Sequence, residues 1–183
     1  MTRRVNKAYA VVFGEKGPVE GMKYCLQGRF ISSTLALCYS LIDMMAWLSL
    51  PEGRDEVHAK DFIGWANRYV IPDAGLECTA EDLYAARCGV VHCMTPESRM
   101  SKSGKATKMV YSWANKKPYS REKVGKLGVT SLMIHVDTLC EAVERGARKF
   151  LIDVRDDKKQ LKATNLRALK LLKEDRRLPS EIP

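Results

Sequence analysis

A mostly helical bundle is the fold class this sequence predicts, and three observations carry the prediction. Apolar residues recur at spacings of three and four over most of the chain, helix-start and helix-stop residues flank those stretches, and a single β-like segment near residues 108–114 interrupts them as a short strand or hairpin. The chain has 183 residues, 45% of them hydrophobic and 29% charged, which suits one globular domain and excludes collagen-like, low-complexity and wholly disordered chains. The expected organisation is an up-and-down helical bundle over residues 1–155, with a basic insert at 96–126. A C-terminal helix and frayed tail over 156–183 then pack on the same domain.

The first apolar run, Ala8 to Phe13, is too short for a signal-peptide core. Met22, Leu26, Phe30, Leu37, Leu41, Met44 and Leu48 follow helical spacing, with Ile31, Leu35, Cys38, Ile42 and Met45 on the adjoining stripe, so one central helix is expected from Met22 to Leu48. Phe30 to Leu50 is long enough to span a bilayer, but Ser32, Ser33, Thr34, Ser40 and Asp43 dilute it. A buried bundle helix is expected instead of a membrane span. Pro51 and Gly53 end that helix. Val57 to Val70 forms a second, with Phe62, Trp65, Ala66 and Tyr69 on its apolar face before the Ile71-Pro72 break. Thr79 to Asp82 reads as a capping box that opens a third helix reaching about Cys93. Asp137 is expected to cap a fourth helix to about Val154. Asp156 or Asp157 caps a fifth, with Leu161, Leu166, Leu169 and Leu172 on one stripe.

The net charge is +9, and its distribution says more than its total. Segment 96–126 carries nine basic and two acidic residues and interleaves Tyr111, Trp113 and Tyr119 with its cations. That pattern fits either a solvated loop or a nucleic-acid contact surface. In the second reading Lys102, Lys105, Lys108, Lys116 and Lys117 attract backbone phosphates, and Tyr111 or Trp113 stacks an unpaired base. Ser103-Gly104-Lys105 brushes against a phosphate-loop pattern but lacks the first glycine and the hydroxyl after the lysine.

The six cysteines form no CxxC pair and the three histidines, His58, His92 and His135, are scattered, so no metal site and no cofactor are expected. Reduced thiols and a cytoplasmic location follow from the cysteine usage and the missing export signal. His58 reads as a solvated residue of an inter-helix stretch, His135 as a structural residue between apolar neighbours, and Tyr84 as packing.

The informative stretch is Asp82-Leu83-Tyr84-Ala85-Ala86-Arg87-Cys88-Gly89-Val90-Val91-His92. It puts a permanent cation five residues ahead of a side chain that titrates near neutrality. That combination suits phosphodiester cleavage: Arg87 holds the phosphate and its developing charge while His92 moves a proton. The spacing itself arises readily by chance in a chain this rich in arginine. Five residues of α-helix also leave the two side chains about 140° apart and about 7.5 Å apart along the axis. Either Gly89 lets the helix bend, or a second subunit completes the pair across a two-fold axis. The structural alternative makes Arg87 a partner of Asp43 or Asp82.

Over residues 20–155 the segment resembles the HEPN superfamily, all-helical domains with an Arg-x(4–6)-His motif near the end of a late bundle helix. Arg87, four intervening residues and His92 match that motif. The resemblance implies a metal-independent endoribonuclease acting on RNA as a homodimer, of the toxin or phage-defence type, with 2′,3′-cyclic phosphate ends and a possible antitoxin or inhibitor protein as partner. The alternative it leaves is a catalytically inactive HEPN-like module that binds nucleic acid, nucleotide or protein. Cys88 stands where members often carry a polar residue after the Arg, and Met94 stands where one branch has a modified Tyr.

Overall fold

Among residues 7–73, 76–115 and 131–171, those that the computed structural model describes, the chain is mostly helical. The elements run α1 (Lys7–Val12), α2 (Pro18–Gln27), α3 (Ile31–Leu48), α4 (Ala59–Tyr69), α5 (Ala80–Cys93), α6 (Arg99–Lys102), β1 (Lys108–Ser112), β2 (Ser131–His135), α7 (Val136–Asp153) and α8 (Lys158–Ala168). The expected frayed tail and Leu172 lie outside the described residues.

The helix expected from Met22 to Leu48 is two helices. Its apolar spacing runs on through residues 28–30, but the backbone does not: Arg29 adopts a left-handed φ of 59°. The Phe30 amide then turns back to the Cys25 carbonyl at 2.9 Å. Gly28 lets the Phe30 ring lie over the break, since a Cβ there would lie 2.7 Å from that ring.

Helix α3 is the hub, packed against α2, α4, α5, α7 and α8. Tyr39, Leu41, Ile42, Met45 and Leu48 on it are almost fully buried, which accounts for its wide apolar surface. By length and composition it is the one helix among the described residues apolar enough to cross a membrane, and half of it is buried inside the protein. Helix α7 crosses the end of α4 so closely that a Cβ on Gly146 would meet the Tyr69 carbonyl at 2.5 Å.

The segment near 108–114 is a strand, but not half of a hairpin. β1 pairs in parallel with β2, Lys108 opposite Ser131 and Ser112 opposite His135. Parallel strands need a crossover, so β1 finds its partner far along the chain. Met109, Leu132 and Ile134 put this ribbon into the core.

Helix α8 closes the C-terminal end of α3. The last carbonyls of a helix have no partner inside it and carry its negative pole. Gln160 reaches the Ser49 carbonyl at 3.0 Å, Thr164 the Leu48 carbonyl at 3.1 Å, and Arg167 the carbonyls of Leu50, Pro51 and Arg54 at 2.6, 2.7 and 2.8 Å. Leu161, Thr164, Arg167 and Ala168 are therefore the buried face. Leu166 and Leu169, expected on a buried stripe, are about half exposed, because α8 turns its polar side chains to the end of α3 and the turn after it. Asp157 caps α8 through the amides of Lys159 and Gln160.

Removing the Arg167 guanidinium takes a charged donor from three carbonyls, of which Leu50 and Pro51 keep only long contacts, from Gln160 at 3.4 Å and the Arg54 amide at 3.3 Å. Arg167→Met is expected to lower unfolding free energy by about 2–4 kcal/mol in urea titrations, whereas Leu166→Ala changes it by roughly 0.5 kcal/mol or less. Equal effects of the two substitutions would contradict the clamp.

Candidate active site

Helix α5 starts as its sequence dictates. The Thr79 hydroxyl accepts the Asp82 amide and the Asp82 carboxylate accepts the Thr79 amide, both at 3.1 Å. The second Asp82 oxygen accepts the Thr107 amide at 2.6 Å, which ties the approach to β1 onto this helix and leaves Asp82 no part in holding Arg87. Leu83, Ala86 and Val90 face the core. The helix is continuous through Gly89, so it does not unwind there. Gly89 serves a different need: a Cβ would lie 2.5 Å from the Thr95 carbonyl and 2.8 Å from that of Glu97, so the returning chain lies directly on the helix. Met94, at φ 52°, turns the chain out of α5.

Arg87 and His92 meet within one chain. Arg87 Nη1 is 3.1 Å from His92 Nε2, and Arg87 Nε donates to Asp43 Oδ2 on α3 at 2.7 Å. The angular separation between positions five apart is bridged by the length of the arginine side chain and by the backward lean of side chains along a helix. A guanidinium only donates, so Nε2 accepts and the imidazole in this contact is the neutral tautomer with its proton on Nδ1.

Asp43 and Arg87 are each about a quarter exposed. Burial pushes the Asp43 carboxyl above its ordinary value, against the pull of Arg87 and His92 in the other direction. Burial likewise works against the Arg87 charge, but Asp43 outweighs it and raises the guanidinium above its ordinary value. The Cys88 thiol, next in sequence, interacts with both Arg87 and Tyr84.

A cavity of about 250 Å³ opens beside the guanidinium, lined by Asp43, Val57, His58, Ala59, Phe62, Tyr84 and Arg87. Tyr84 packs edge-on against Phe62, ring centroids 5.4 Å apart, and also walls this cavity. His58, exposed as its sequence suggests, brings an imidazole to it. Sequence reading missed His58 because it lies just before α4 and shares a cavity with Arg87 only through the tertiary fold. The one available signal was its place immediately before that helix.

A larger cavity of about 430 Å³, lined in part by Arg54, Lys60, Trp65, Arg68, Tyr69 and Gln160, contains no histidine or cysteine. Proton transfer near neutral pH therefore points to the smaller one.

The basic segment divides. Lys102 and Lys108 both pair with Glu97, at 3.7 and 3.0 Å, and Lys105 has no ion pair among the described residues. Trp113 is 42% exposed. Tyr111 turns inward, contrary to a base-stacking role: its hydroxyl is 2.7 Å from that of Tyr39, and burial raises its pKa well above the ordinary value. Lys116, Lys117 and Tyr119 lie outside the described residues.

His135 is structural, with Nε2 2.9 Å from the Ala114 carbonyl and Nδ1 3.2 Å from the Asp137 carboxylate. Asp137 follows the start of α7 and does not cap it. The six cysteines are free, and Cys38 is hydrogen-bonded to Cys140 in the core. Among the described residues no group of His, Cys, Asp and Glu is arranged to hold a metal ion.

No protein-family model matches this chain, and no curated protein or solved structure is significantly similar to it.

Because Asp43 binds its proton more tightly in the folded than in the unfolded chain, its contribution to stability is fully present below the unfolded value and is lost as pH rises through the raised folded value. Asp43→Asn, which cannot ionise, is therefore expected to gain stability relative to the parent as pH rises from about 3 to about 7. Denaturant midpoints across that range measure the difference. A difference that shrinks with pH would contradict the assigned burial.

Proposed function

We propose that this protein is a metal-independent endoribonuclease of the HEPN type. The observation that carries the reading is the contact between Arg87 Nη1 and His92 Nε2, with the guanidinium anchored on Asp43. In the reaction a phosphodiester takes the Nη1 donor from His92, and the freed Nε2 lone pair accepts the proton of the adjacent 2′-hydroxyl. The 2′-oxygen attacks phosphorus, the bond to the 5′-oxygen breaks, and a 2′,3′-cyclic phosphate and a 5′-hydroxyl form. Arg87 neutralises the charge that grows on the non-bridging oxygens.

Lys105 and the exposed Trp113 support contact with single-stranded RNA near this helix end, since the turn after α5 leads through α6 to β1. A homodimer that joins two such centres, and a role as a toxin or defence effector, belong to the same reading through the resemblance of Arg87-x4-His92. The pair itself needs no second subunit to form.

His92→Ala is expected to lose about 10²–10⁴ in turnover on single-stranded RNA while keeping its helical circular dichroism. Arg87→Lys fails comparably, because an ammonium cannot grip Asp43 and phosphate together in one plane. Cleavage survives EDTA and spares DNA. Activity abolished by EDTA and restored by magnesium, or a fully active His92→Ala protein, would overturn the assignment.

Affinity tests the basic segment separately. Lys105→Ala is expected to flatten the salt dependence of RNA binding more than Lys102→Ala, whose positive charge Glu97 already offsets. Equal slopes for the two variants in fluorescence anisotropy would contradict this ranking.

A further inference from the structure

Of the three histidines in the chain, His135 is held by Ala114 and Asp137, one of the other two contacts Arg87 and the last lines a cavity with it. His92 touches its Nη1, and His58 shares with it the 250 Å³ cavity that also holds Asp43 and Tyr84. The two imidazoles arrive from different elements, one at the end of α5 and one just before α4. In-line displacement at phosphorus puts the attacking and leaving oxygens on opposite sides, so the group that removes a proton cannot also deliver one to the departing oxygen in the same step.

The contact geometry sorts the roles. His92 presents an unprotonated nitrogen to a cation that only donates, which makes it the acceptor. A donor must come from elsewhere, and His58 is the imidazole that lines the cavity beside Arg87. The His58 backbone is held at the start of α4: its amide donates to Asp61 at 2.8 Å and its carbonyl accepts the Asp61 amide at 2.9 Å. His58→Gln keeps a side-chain acceptor at the start of α4, where the His58 side chain and Asp61 form a capping box.

We propose that His58 is the general acid of this site, the group that protonates the 5′-oxygen as it leaves phosphorus. The inference rests on the ribonuclease reading and completes it within one chain. The P–O5′ bond pair goes to the leaving oxygen, which takes the His58 proton, and His92 keeps the proton from the 2′-hydroxyl. Exchange with water resets both rings.

The test uses the full chain and two single-stranded RNA oligonucleotides. One is ordinary, and one carries sulfur in place of the bridging 5′-oxygen at a single cleavable position. A departing thiolate needs no proton. His58→Ala is expected to slow cleavage of ordinary RNA by about 10²-fold or more and to cleave the sulfur substrate at close to the parental rate. His92→Ala remains slow on both. His58→Gln, which keeps size and polarity, should behave as His58→Ala does.

A His58 variant as fast as the parent on ordinary RNA would overturn the inference while leaving the Arg87/His92 centre standing. So would a variant equally slow on both substrates, which would make His58 a positioning residue. A parent chain that cleaves neither substrate would remove the ribonuclease reading and this inference with it.

Discussion

The site depends on one ion pair, that between Asp43 and Arg87. Asp43 is the single charged residue of α3, a helix otherwise apolar or neutral and packed on most sides, and a carboxylate in such a place needs a partner. Arg87, 44 residues later, supplies it through Nε. Burial of the Asp43 carboxylate offsets what Arg87 contributes, so the pair adds little to net stability. Its effect is geometric. Once Nε is committed to Asp43, the guanidinium plane is fixed and Nη1 faces His92. Arginine suits this because one rigid fork serves two partners at once.

Everything that fixes α3 against α5 therefore fixes the guanidinium as well. The clamp of Gln160, Thr164 and Arg167 on the end of α3, the close approach of the returning chain over Gly89, and the double use of Asp82 as cap and as anchor for Thr107 all act on those two helices. In the proposed reaction this rigidity matters more than any single bond, because a phosphate must exchange for His92 at Nη1 without the arginine losing its place.

Local signals in the sequence were legible. The capping box at Thr79, the Asp157 cap and the aromatic face of α4 each belong to a few neighbouring residues and place those helices correctly. What the sequence hid was settled at long range. The break at Gly28 and Arg29 lies inside an unbroken apolar period. The parallel pairing of β1 with β2 depends on a partner 23 positions along, as Lys108 and Ser131 show. The α8 face is chosen by the carbonyls of α3, so a threonine and an arginine are buried where leucines were expected. At the site, Arg87 and His92 were legible as a spaced pair, but their contact was not, because a count of helical degrees ignores how far an arginine reaches. The aromatic interleaving of the basic segment overstated Tyr111, whose alternate position in β1 turns it toward Tyr39.

The central claim is that Arg87 and His92 act as one unit on an RNA phosphodiester. A double-mutant cycle on single-turnover cleavage tests it most directly, comparing Arg87→Ala, His92→Ala and the doubly substituted chain. Residues that work as a unit are strongly non-additive, so the account predicts that the double variant is no more than a few-fold slower than the slower single variant. Two losses that simply multiply, with each residue contributing independently of the other, would contradict it.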